Sequence, residues 1–475
     1  MNPYLRLLIG VWIILLAVPS HAKAKERPNI VLILADDLGW ADLGCYGNRF
    51  NETPQIDRMA REGLRFTDFY AAGAVCSPTR ASIMTGQTPA RLGMTAHIPG
   101  HWRPFEMLAE PPNALRLPED TISVAQRLRD HGYTTGYLGK WHLGGAGFGP
   151  ERFGFDTVFE FTGHVVTAAR QQPRGRENRR ACEYFAELAD AFIRSNRQQP
   201  FYLQISPTAV HIPLTTTPEL QDKYDRKSPV PGYSNHPTYA GLLEELDQLV
   251  GSVRKSLADA GLTDNTLFVF TSDNGGLERE VGGWPGTLNR PLRDEKGSLY
   301  EGGIRVPMIV SWPKMFRPGK VLSMPGVTTD LYPTFLEAAG IARDKTTILD
   351  GVTLLPVMKN PVARPKSREF YWHYPHYHHS RPSGAIRSGD WKLIEFFDTG
   401  DLELYNLRED ISESRELTSQ NPSKAKELHR ALQQWRHSVN AQMPQLNPAH
   451  KPERAGEWWS RARVEPTEAP GTPKK

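Results

Sequence analysis

The sequence of 475 residues has few cysteines, little net charge, and no long apolar run beyond its N-terminal segment. Three cysteines, Cys45, Cys76 and Cys182, are too few for a disulfide-stabilised scaffold, so stability must come from an apolar core. Their odd number leaves at least one thiol unpaired. Cys45 and Cys182 either form a bridge or stay as two buried free thiols, and nothing in their spacing favours the bridge.

The formal net charge is only +4, and Lys and Arg do not form a concentrated block. This small positive excess argues against a nucleic-acid-binding protein, but it suits an anionic substrate. With 39% apolar and 23% charged residues, the composition excludes a disordered chain and a coiled coil. The length allows a large α/β core with a smaller appended domain.

The N-terminus has one arginine, an apolar run from Leu7 to Val18, and the small residues Ser20 and Ala22. This pattern is typical of a secretory signal peptide over residues 1–22, cleaved after Ala22. The alternative is an uncleaved anchor, but the run is short for a membrane span and no cysteine follows it to accept lipid. We expect an exported protein, periplasmic or secreted, without stable membrane insertion.

Buried strands alternate with helices along most of the chain, and polar residues follow the strands. "NIVLILADD" and "NTLFVFTSDNGG" are continuous apolar runs of strand length, while "YAGLLEELDQLVGSVRKSLADAG" is an amphipathic helix. This order predicts an α/β fold that binds its ligand at the carboxyl ends of the strands. We place this catalytic domain at residues 26–345.

The composition changes near residue 349, where the chain becomes proline-rich and then rich in aromatics and histidine. An alternating pattern follows, which predicts antiparallel hairpins. We therefore expect a smaller C-terminal domain over residues 346–445 that contributes to the substrate pocket. Residues 446–475 are interpreted as a tail that packs on the surface or is partly disordered.

Hard oxygen ligands follow two of the predicted strands. Asp36 and Asp37 come after the first, and Asp273 and Asn274 after a later one. Three carboxylates and an amide suit Ca²⁺ or Mg²⁺ better than zinc. The sequence predicts one divalent cation site, with Ca²⁺ preferred and Mg²⁺ as the alternative.

The segment "CSPTR" places Cys76 at the start of a predicted helix, with Pro78 in the first turn and Arg80 behind it. The positive end of a helix dipole and an arginine favour a bound anion. From the residues alone, Cys76 is interpreted as a cysteine of low pKa near an oxyanion site, and a buried structural thiol is the alternative.

These residues, together with three later segments, resemble the type I sulfatase family of the alkaline phosphatase superfamily. The C-x-P-x-R signature corresponds to Cys76 and Arg80; "GYTTGYLGKWHLG", "SPTAVHIP" and "PLRDEKGSLYEGGIRVP" resemble later signatures of the family. The resemblance implies a large mixed sheet between helices and a smaller C-terminal α+β domain on an antiparallel sheet. It also implies that a formylglycine-generating enzyme oxidises Cys76 to formylglycine, whose hydrate is the nucleophile.

The same resemblance, with the chemistry of sulfate esters, assigns a role to each residue. The cation, held by Asp36, Asp37, Asp273, Asn274 and the residue derived from Cys76, acidifies the attacking hydroxyl. Arg80 and Lys140 are expected to stabilise the hydrate and the bound anion. Lys296 and His211 are expected to contact the sulfate and the leaving oxygen, and His211 would donate the proton to the leaving group. His142 is expected to remove a proton from the second hydroxyl of the hydrate.

Two histidine-rich segments suggest the substrate. The first contains His373, His376, His378 and His379 among aromatics, and the second contains His97, His101, Trp102 and Arg103. The first could bind zinc, but its aromatics and proline favour a rigid pocket wall. We predict that His97, His101, Arg103, His373, His376 and His378 contact the substrate. A sulfated carbohydrate is favoured over a small aryl ester.

Two other functions remain as alternatives. A phosphate monoester or diester hydrolase of the same superfamily would share the sheet and the carboxylates, but it usually needs a second metal set that the sequence does not clearly show. A non-enzymatic protein that binds sulfated glycans would have lost catalytic residues. Every expected catalytic residue type is present.

Overall fold

A computed structural model describes residues 27–167, 178–281, 284–344, 346–361 and 367–460. The predicted signal peptide, residues 1–22, lies outside the described residues, as does the end of the predicted tail from residue 461. None of the described helices has the length and apolarity that crossing a bilayer requires.

The strands, numbered in chain order, are β1 (Asn29–Ala35), β2 (Leu64–Phe66), β3 (Phe69–Tyr70), β4 (His101–Trp102), β5 (Leu108–Ala109), β6 (Thr134–Gly139), β7 (Thr157–Glu160), β8 (Val165–Val166), β9 (Arg179–Arg180), β10 (Phe201–Ser206), β11 (Thr266–Ser272), β12 (Glu280–Val281), β13 (Trp284–Pro285), β14 (Met308–Ser311), β15 (Lys320–Leu322), β16 (Gly326–Val327), β17 (Glu369–Tyr374), β18 (Ser383–Ser388), β19 (Trp391–Phe396), β20 (Leu402–Asn406), β21 (Gln445–Leu446) and β22 (Trp459–Ser460). The helices are α1 (Pro54–Glu62), α2 (Cys76–Thr85), α3 (Pro89–Leu92), α4 (Val124–Asp130), α5 (Ala181–Ser195), α6 (Pro218–Asp225), α7 (Pro237–Asp259), α8 (Glu301–Ile304), α9 (Leu331–Ala338), α10 (Leu355–Lys359) and α11 (Pro422–Ser438).

A mixed sheet of eight strands forms the centre of the molecule, in the order β15-β2-β14-β11-β1-β10-β6-β7. Strands β11, β1, β10, β6 and β7 are parallel, while β14 runs antiparallel to both of its neighbours. Every side chain of β1 is buried, as its continuous apolar run predicts. The prediction of an α/β fold with buried central strands is confirmed.

Helices cover both faces of this sheet. On one face Ile30 and Leu32 of β1 pack in a cluster with α2, α4, α9 and α10. On the other face Val31 and Ile33 pack with α1, α5 and α7. The alternation of β1 side chains between the two clusters explains why its apolar run has no polar interruption.

The C-terminal part is a four-stranded antiparallel sheet, in the order β17-β18-β19-β20, with α11 on one face. Its other face packs on the part of the chain that contains the large sheet, where Trp372 donates a hydrogen bond of 2.8 Å from Nε1 to the carbonyl oxygen of Ala71. The expected antiparallel C-terminal sheet is therefore confirmed. Residues 355–359, which form α10, pack in the core of the large sheet, and the antiparallel sheet begins at Glu369.

Candidate active site

The polar residues that follow the strands meet at one edge of the large sheet. The residues after β1, β11, β10 and β6 are, in that order, Asp36 with Asp37, Asp273 with Asn274, His211, and Lys140. These four strands are parallel and adjacent, so their carboxyl ends lie side by side. Asp37 has a positive φ of 62° and His142 one of 60°, a left-handed conformation that is uncommon outside glycine and clusters at functional sites.

Asp36, Asp37, Asp273 and Asn274 form a buried oxygen cluster. Asn274 donates from Nδ2 to Asp37 Oδ1 at 2.8 Å, and the backbone N–H of Asp37 donates to Asp273 Oδ1 at 3.2 Å. Among the described residues, Asn274 Oδ1 has no hydrogen-bond donor although it is buried. An unsatisfied amide oxygen beside carboxylates costs free energy without a cation, so this donor set fits a hard divalent ion.

Cys76 is the first residue of α2 and lies directly beside this cluster. Its Sγ is 3.4 Å from Asp36 Oδ1, 3.9 Å from Asp37 Oδ1 and 3.6 Å from Lys140 Nζ. One ligand atom from each of Asp36, Asp37, Cys76 and His211 lies within 4.8 Å of the others. The structure thus brings the predicted nucleophile to the predicted metal ligands.

The expectation of a low pKa for the Cys76 thiol is wrong. Burial, with the negative charge of Asp273 next, raises the pKa of this thiol. The helix N-terminus and the cation of Lys140 favour the thiolate, but desolvation and the neighbouring carboxylates outweigh them.

Three buried cations neutralise the carboxylates. Lys140 Nζ lies 2.6 Å from Asp36 Oδ2, and Lys296 Nζ lies 2.7 Å from Asp37 Oδ1. Arg80 donates from Nε and Nη2 to Asp273 Oδ2 at 2.9 and 2.7 Å. Burial opposes ionisation of Asp36, but Lys140 and the other nearby cations hold the pKa of Asp36 well below its usual range. Lys140 and Lys296 keep raised pKa values against the effect of their burial, so both are charged.

Two histidines at the site have defined ring orientations. The Nε2 of His142 bonds to the carbonyl oxygen of Ile98, so Nε2 carries the proton and Nδ1 keeps the lone pair. Burial and Lys140 lower the pKa of His142 to about 3, and its Nδ1 is buried without a partner among the described residues. His211 Nε2 lies 3.6 Å from Asp37 Oδ2, and burial lowers the pKa of His211.

A cavity of about 620 Å³ opens onto these groups. Its lining includes Cys76, Lys140, His142, His211 and Lys296 together with His97, His101, His378, His379 and Trp458. A neighbouring cavity of about 380 Å³ shares His97, His101 and His378 and adds His376. A larger groove of about 970 Å³ along α1 and α7 contains none of the candidate residues, so the smaller cavity is the candidate active site.

Three of the predicted substrate-binding histidines form one cluster. The ring centroids of His97, His101 and His378 lie 4.7 to 5.3 Å apart, and one ring nitrogen from each lies within 4.8 Å of the others. Burial lowers the pKa of His101 to about 4 and the pKa values of the other two well below the usual range. All three rings are therefore neutral at pH 7.

Two other predicted substrate-binding residues lie elsewhere. His373 bonds through Nε2 to the carbonyl oxygen of Gln442 at 2.8 Å and contacts Phe397, and it lines neither of the two cavities. It alternates along β17 with Trp372 and Tyr374, which face the catalytic part. Arg103 donates to the carbonyl oxygen of His378 at 2.7 Å and likewise lines neither cavity.

His379 and Trp458 also line the cavity but were not among the predicted site residues. His379 bonds through Nδ1 to the carbonyl oxygen of Lys296 at 2.8 Å, and its place beside His378 was a signal. Trp458 lies in the segment interpreted as a tail, where the pair "WW" was the only sign. The three cysteines are unpaired, so Cys45 and Cys182 form no bridge.

Comparisons with known proteins agree with this arrangement. Residues 28–341 match the sulfatase family, and residues 294–440 match the C-terminal region of N-sulphoglucosamine sulphohydrolase. The chain is 31% identical to steryl-sulfatase of Mus musculus, over 81% of this chain and 73% of that protein. It is 34% identical to N-acetylgalactosamine-6-sulfatase of Rattus norvegicus, over 71% and 67%.

A solved structure with similar architecture is that of Ps i-CgsB in complex with k-i-k-neocarrahexaose. It is 30% identical, covers 90% of this chain and 95% of its own, and has a TM-score of 0.74. A phosphonate monoester hydrolase of Agrobacterium radiobacter, 18% identical with a TM-score of 0.61, shares the fold. With the sulfatase family matched over most of its length and the expected residues gathered at one edge of the sheet, the chain belongs to the sulfatase family.

Proposed function

We propose that this protein is an exported sulfatase that removes sulfate from a sulfated carbohydrate, using formylglycine derived from Cys76 and one divalent cation. Hydrolysis of sulfate esters follows from the family itself. The observation that carries the finer proposal is the position of Cys76, whose Sγ lies beside the ion pair of Asp36 and Lys140, 3.4 Å from the carboxylate and 3.6 Å from the ammonium. A nucleophile made from this side chain would lie beside both the cation ligands and a positive charge.

Asp36, Asp37, Asp273 and Asn274 would hold the cation, with Ca²⁺ preferred over Mg²⁺. The orphaned oxygen of Asn274 supports this assignment. When bound, the ion supplies Lewis acidity that polarises a sulfate oxygen and acidifies a neighbouring hydroxyl. Three carboxylates already balance the charges of Arg80, Lys140 and Lys296, so a divalent ion gives the site the net positive charge that a sulfate ester anion requires.

The surrounding side chains supply orientation and proton transfer. Arg80 fixes Asp273 through two donors and holds the carbonyl oxygen of Lys140 through Nη1 at 2.6 Å, so the arginine positions both neighbours. Lys140 and Lys296 are charged and would contact the anion. His142 offers the lone pair of Nδ1 as a base. The Nδ1 of His211 donates to the carbonyl oxygen of Ile212 at 2.5 Å, so Nε2 would donate to the leaving oxygen only in the doubly protonated ring, which Asp37 at 3.6 Å favours.

A sulfated carbohydrate is the substrate that suits the cavity. Neutral histidines can donate to or accept from sugar hydroxyls, and His97, His101 and His378 supply three such rings. N-acetylgalactosamine-6-sulfatase and Ps i-CgsB with its bound neocarrahexaose support this class, whereas steryl-sulfatase represents an apolar alternative. A sterol would cover these polar rings without hydrogen-bonding them.

The protein would be exported and would be modified at Cys76 during its maturation. The N-terminal pattern predicts a signal peptide over residues 1–22, and a formylglycine-generating enzyme would act on "CSPTR" before or during folding, because Cys76 is buried in the folded chain. The protein would then act in the periplasm or outside the cell.

The experiment is peptide mass spectrometry across Cys76, on protein coexpressed with a formylglycine-generating enzyme and with its signal segment intact. We expect the aldehyde or its hydrate at Cys76, loss of residues 1–22, and release of sulfate from sulfated oligosaccharides. Cys76→Ala is the control and should release none. An unmodified, inactive thiol under these conditions would overturn the proposal and favour a binding protein. Activity only on an aryl or steryl ester would overturn the substrate class alone.

A further inference from the structure

The last described segment of the chain, residues 441–460, lies beyond both family matches, which end at residues 341 and 440. We call it the C-terminal strap. It runs along the loop of residues 101–109, where β21 pairs with β5 and β22 pairs with β4. The loop carries His101, which lines the cavity beside the catalytic residues.

Side chains and backbone fix the strap to this loop. Asn447 donates from Nδ2 to the carbonyl oxygens of Pro104 and Glu106, at 2.8 and 2.7 Å. The guanidinium of Arg454 lies over the ring of Phe105, with its carbon 3.6 Å from the ring centroid. The two strand pairs, the two hydrogen bonds of Asn447 and the cation–π contact of Arg454 therefore hold the strap and the loop in a fixed arrangement.

The strap ends in two tryptophans that differ in their contacts. Trp459 packs on Trp102 and Phe105, with ring centroids 5.6 and 6.3 Å apart, and so anchors the strap. Trp458 lies with its ring centroid 4.4 Å from that of His101 and lines the cavity that contains Cys76. Its side chain is 53% exposed. A large aromatic exposed in a catalytic cavity loses contact with water when a ligand covers it.

We propose that Trp458 and His101 form a binding site for a pyranose ring, namely the saccharide unit next to the one whose sulfate ester lies at Cys76. A pyranose presents an apolar C–H face for the indole and hydroxyls at its edge for the neutral histidines around it. The inference rests on the proposed function and adds to it a chain-length preference: the enzyme binds an oligosaccharide rather than a free sulfated monosaccharide.

The test compares Trp458→Ala, Trp458→Phe and Leu446→Ala with the unchanged chain, all coexpressed with a formylglycine-generating enzyme. Leu446 is the matched control, because it lies on the same strap, is 80% exposed and lines neither cavity. The substrates are carrageenan neocarrahexaose, chondroitin sulfate oligosaccharides and para-nitrophenyl sulfate. The measured quantity is the ratio of kcat/KM for the oligosaccharide that is cleaved to kcat/KM for the aryl ester.

We expect Trp458→Ala to lower this ratio by about tenfold, mainly through KM, since an aromatic contact of this kind contributes on that order. Trp458→Phe should restore most of it and Leu446→Ala should keep the original ratio. An unchanged ratio in Trp458→Ala, or an equal loss on both substrates, overturns the inference.

A failure of the proposed function gives a different result from a failure of the pyranose site alone. If the unchanged chain cleaves the aryl ester but no oligosaccharide, the pyranose site is overturned while the sulfatase remains. If the unchanged chain cleaves neither substrate, the proposed function fails. The pyranose site is then tested by calorimetric titration of the same oligosaccharides into the unchanged chain and into Trp458→Ala. Weaker binding by the variant supports the site, and equal binding or no binding overturns it.

Discussion

At the scale of the residue, the active site is a cluster of charges removed from water. Asp36 and Asp273 have no exposed surface, and Arg80 is only 2% exposed. Burying an ion pair gains little stability against apolar packing, and removing one partner leaves a costly unpaired charge. A cluster of this kind is therefore explained by chemistry rather than by stability.

The sequence identified the residues of this cluster but not their pKa values. "DD", "SDN" and "CSPTR" predicted a nucleophile near hard ligands, and the structure places Cys76 beside Asp36. The raised pKa of the thiol was not predictable, because it depends on burial of the thiol and then on Asp273, which lies far along the chain. Desolvation is a property of the packed chain and not of a motif.

Asn274→Ala tests the cation site at this scale. The variant removes the orphaned amide oxygen, so it should need about tenfold or more Ca²⁺ than the unchanged chain to recover activity after EDTA treatment. Activity is followed with para-nitrophenyl sulfate against free Ca²⁺. Asn289→Ala is the control, since the Asn289 amide bonds to the backbone oxygens of Gly276 and Asp294. The same Ca²⁺ requirement in both variants would contradict the assignment.

His142→Ala tests the proposed base. Loss of its Nδ1 lone pair should lower kcat by about 10²–10⁴-fold, since general bases contribute in that range. His373→Ala is a matched control, because that buried histidine also bonds through Nε2 to a backbone carbonyl but lines neither cavity. We expect a similar loss of thermal stability in the two variants and a loss of kcat in His142→Ala alone. A large fall of kcat in His373→Ala would contradict its placement.

At the scale of the element, long apolar segments were predictable and short ones were not. The continuous apolar runs predicted β1 and β11, and the 3.6-residue periodicity predicted α7, because a strand or helix that faces a core carries its pattern locally. The role of β17 was only partly predictable. A strand alternates its side chains, so His373 and Trp372 face opposite sides, and the sequence does not say which side meets the cavity.

Asp247 joins two elements, and its removal tests how α1 is held. This side chain of α7 accepts hydrogen bonds from the backbone N–H groups of Gln55 and Ile56 at the start of α1, at 3.1 and 2.8 Å. Asp247→Ala should destabilise the protein by about 1–3 kcal/mol, because the buried N–H of Ile56 and the partly buried N–H of Gln55 lose their acceptor. Chemical unfolding measures the effect.

Asp259 provides the control on the same helix. It pairs with Lys255 at 2.6 Å, and the two side chains are 41% and 74% exposed, so Asp259→Ala should cost less than about 0.5 kcal/mol. Equal destabilisation by the two substitutions would show that Asp247 does not hold the start of α1.

At the scale of the whole molecule, a second buried charge cluster joins the two sheets. Lys392 of β19 lies 2.9 Å from Glu301 of α8 and 2.8 Å from Glu413, and all three side chains are fully buried. Burial raises the pKa of Glu413 to about 7, whereas Lys392 and other cations, against the effect of burial, lower the pKa of Glu301 to about 2. One carboxylate of the pair therefore carries most of the charge that balances Lys392.

This cluster predicts a pH dependence of stability. The folded pKa of Glu413 is above its unfolded value, so the folded state binds more protons between the two and stability falls as pH rises from about 4.5 to 7. Glu413→Gln cannot ionise and should show a smaller decrease in unfolding temperature between pH 5 and pH 8 than the unchanged chain. Parallel curves for the two proteins would contradict the raised pKa.

The sequence alone determined the family, the α/β class, the antiparallel C-terminal sheet and the residue types of the active site, because a local pattern or motif predicts each of them. Only the tertiary structure decided which histidines face the cavity, that burial raises the pKa of the Cys76 thiol, and that residues 441–460 return to the loop of His101 and place Trp458 beside the candidate catalytic residues. These outcomes depend on contacts between segments hundreds of residues apart and on burial. Neither is set by the neighbours of a residue in the chain.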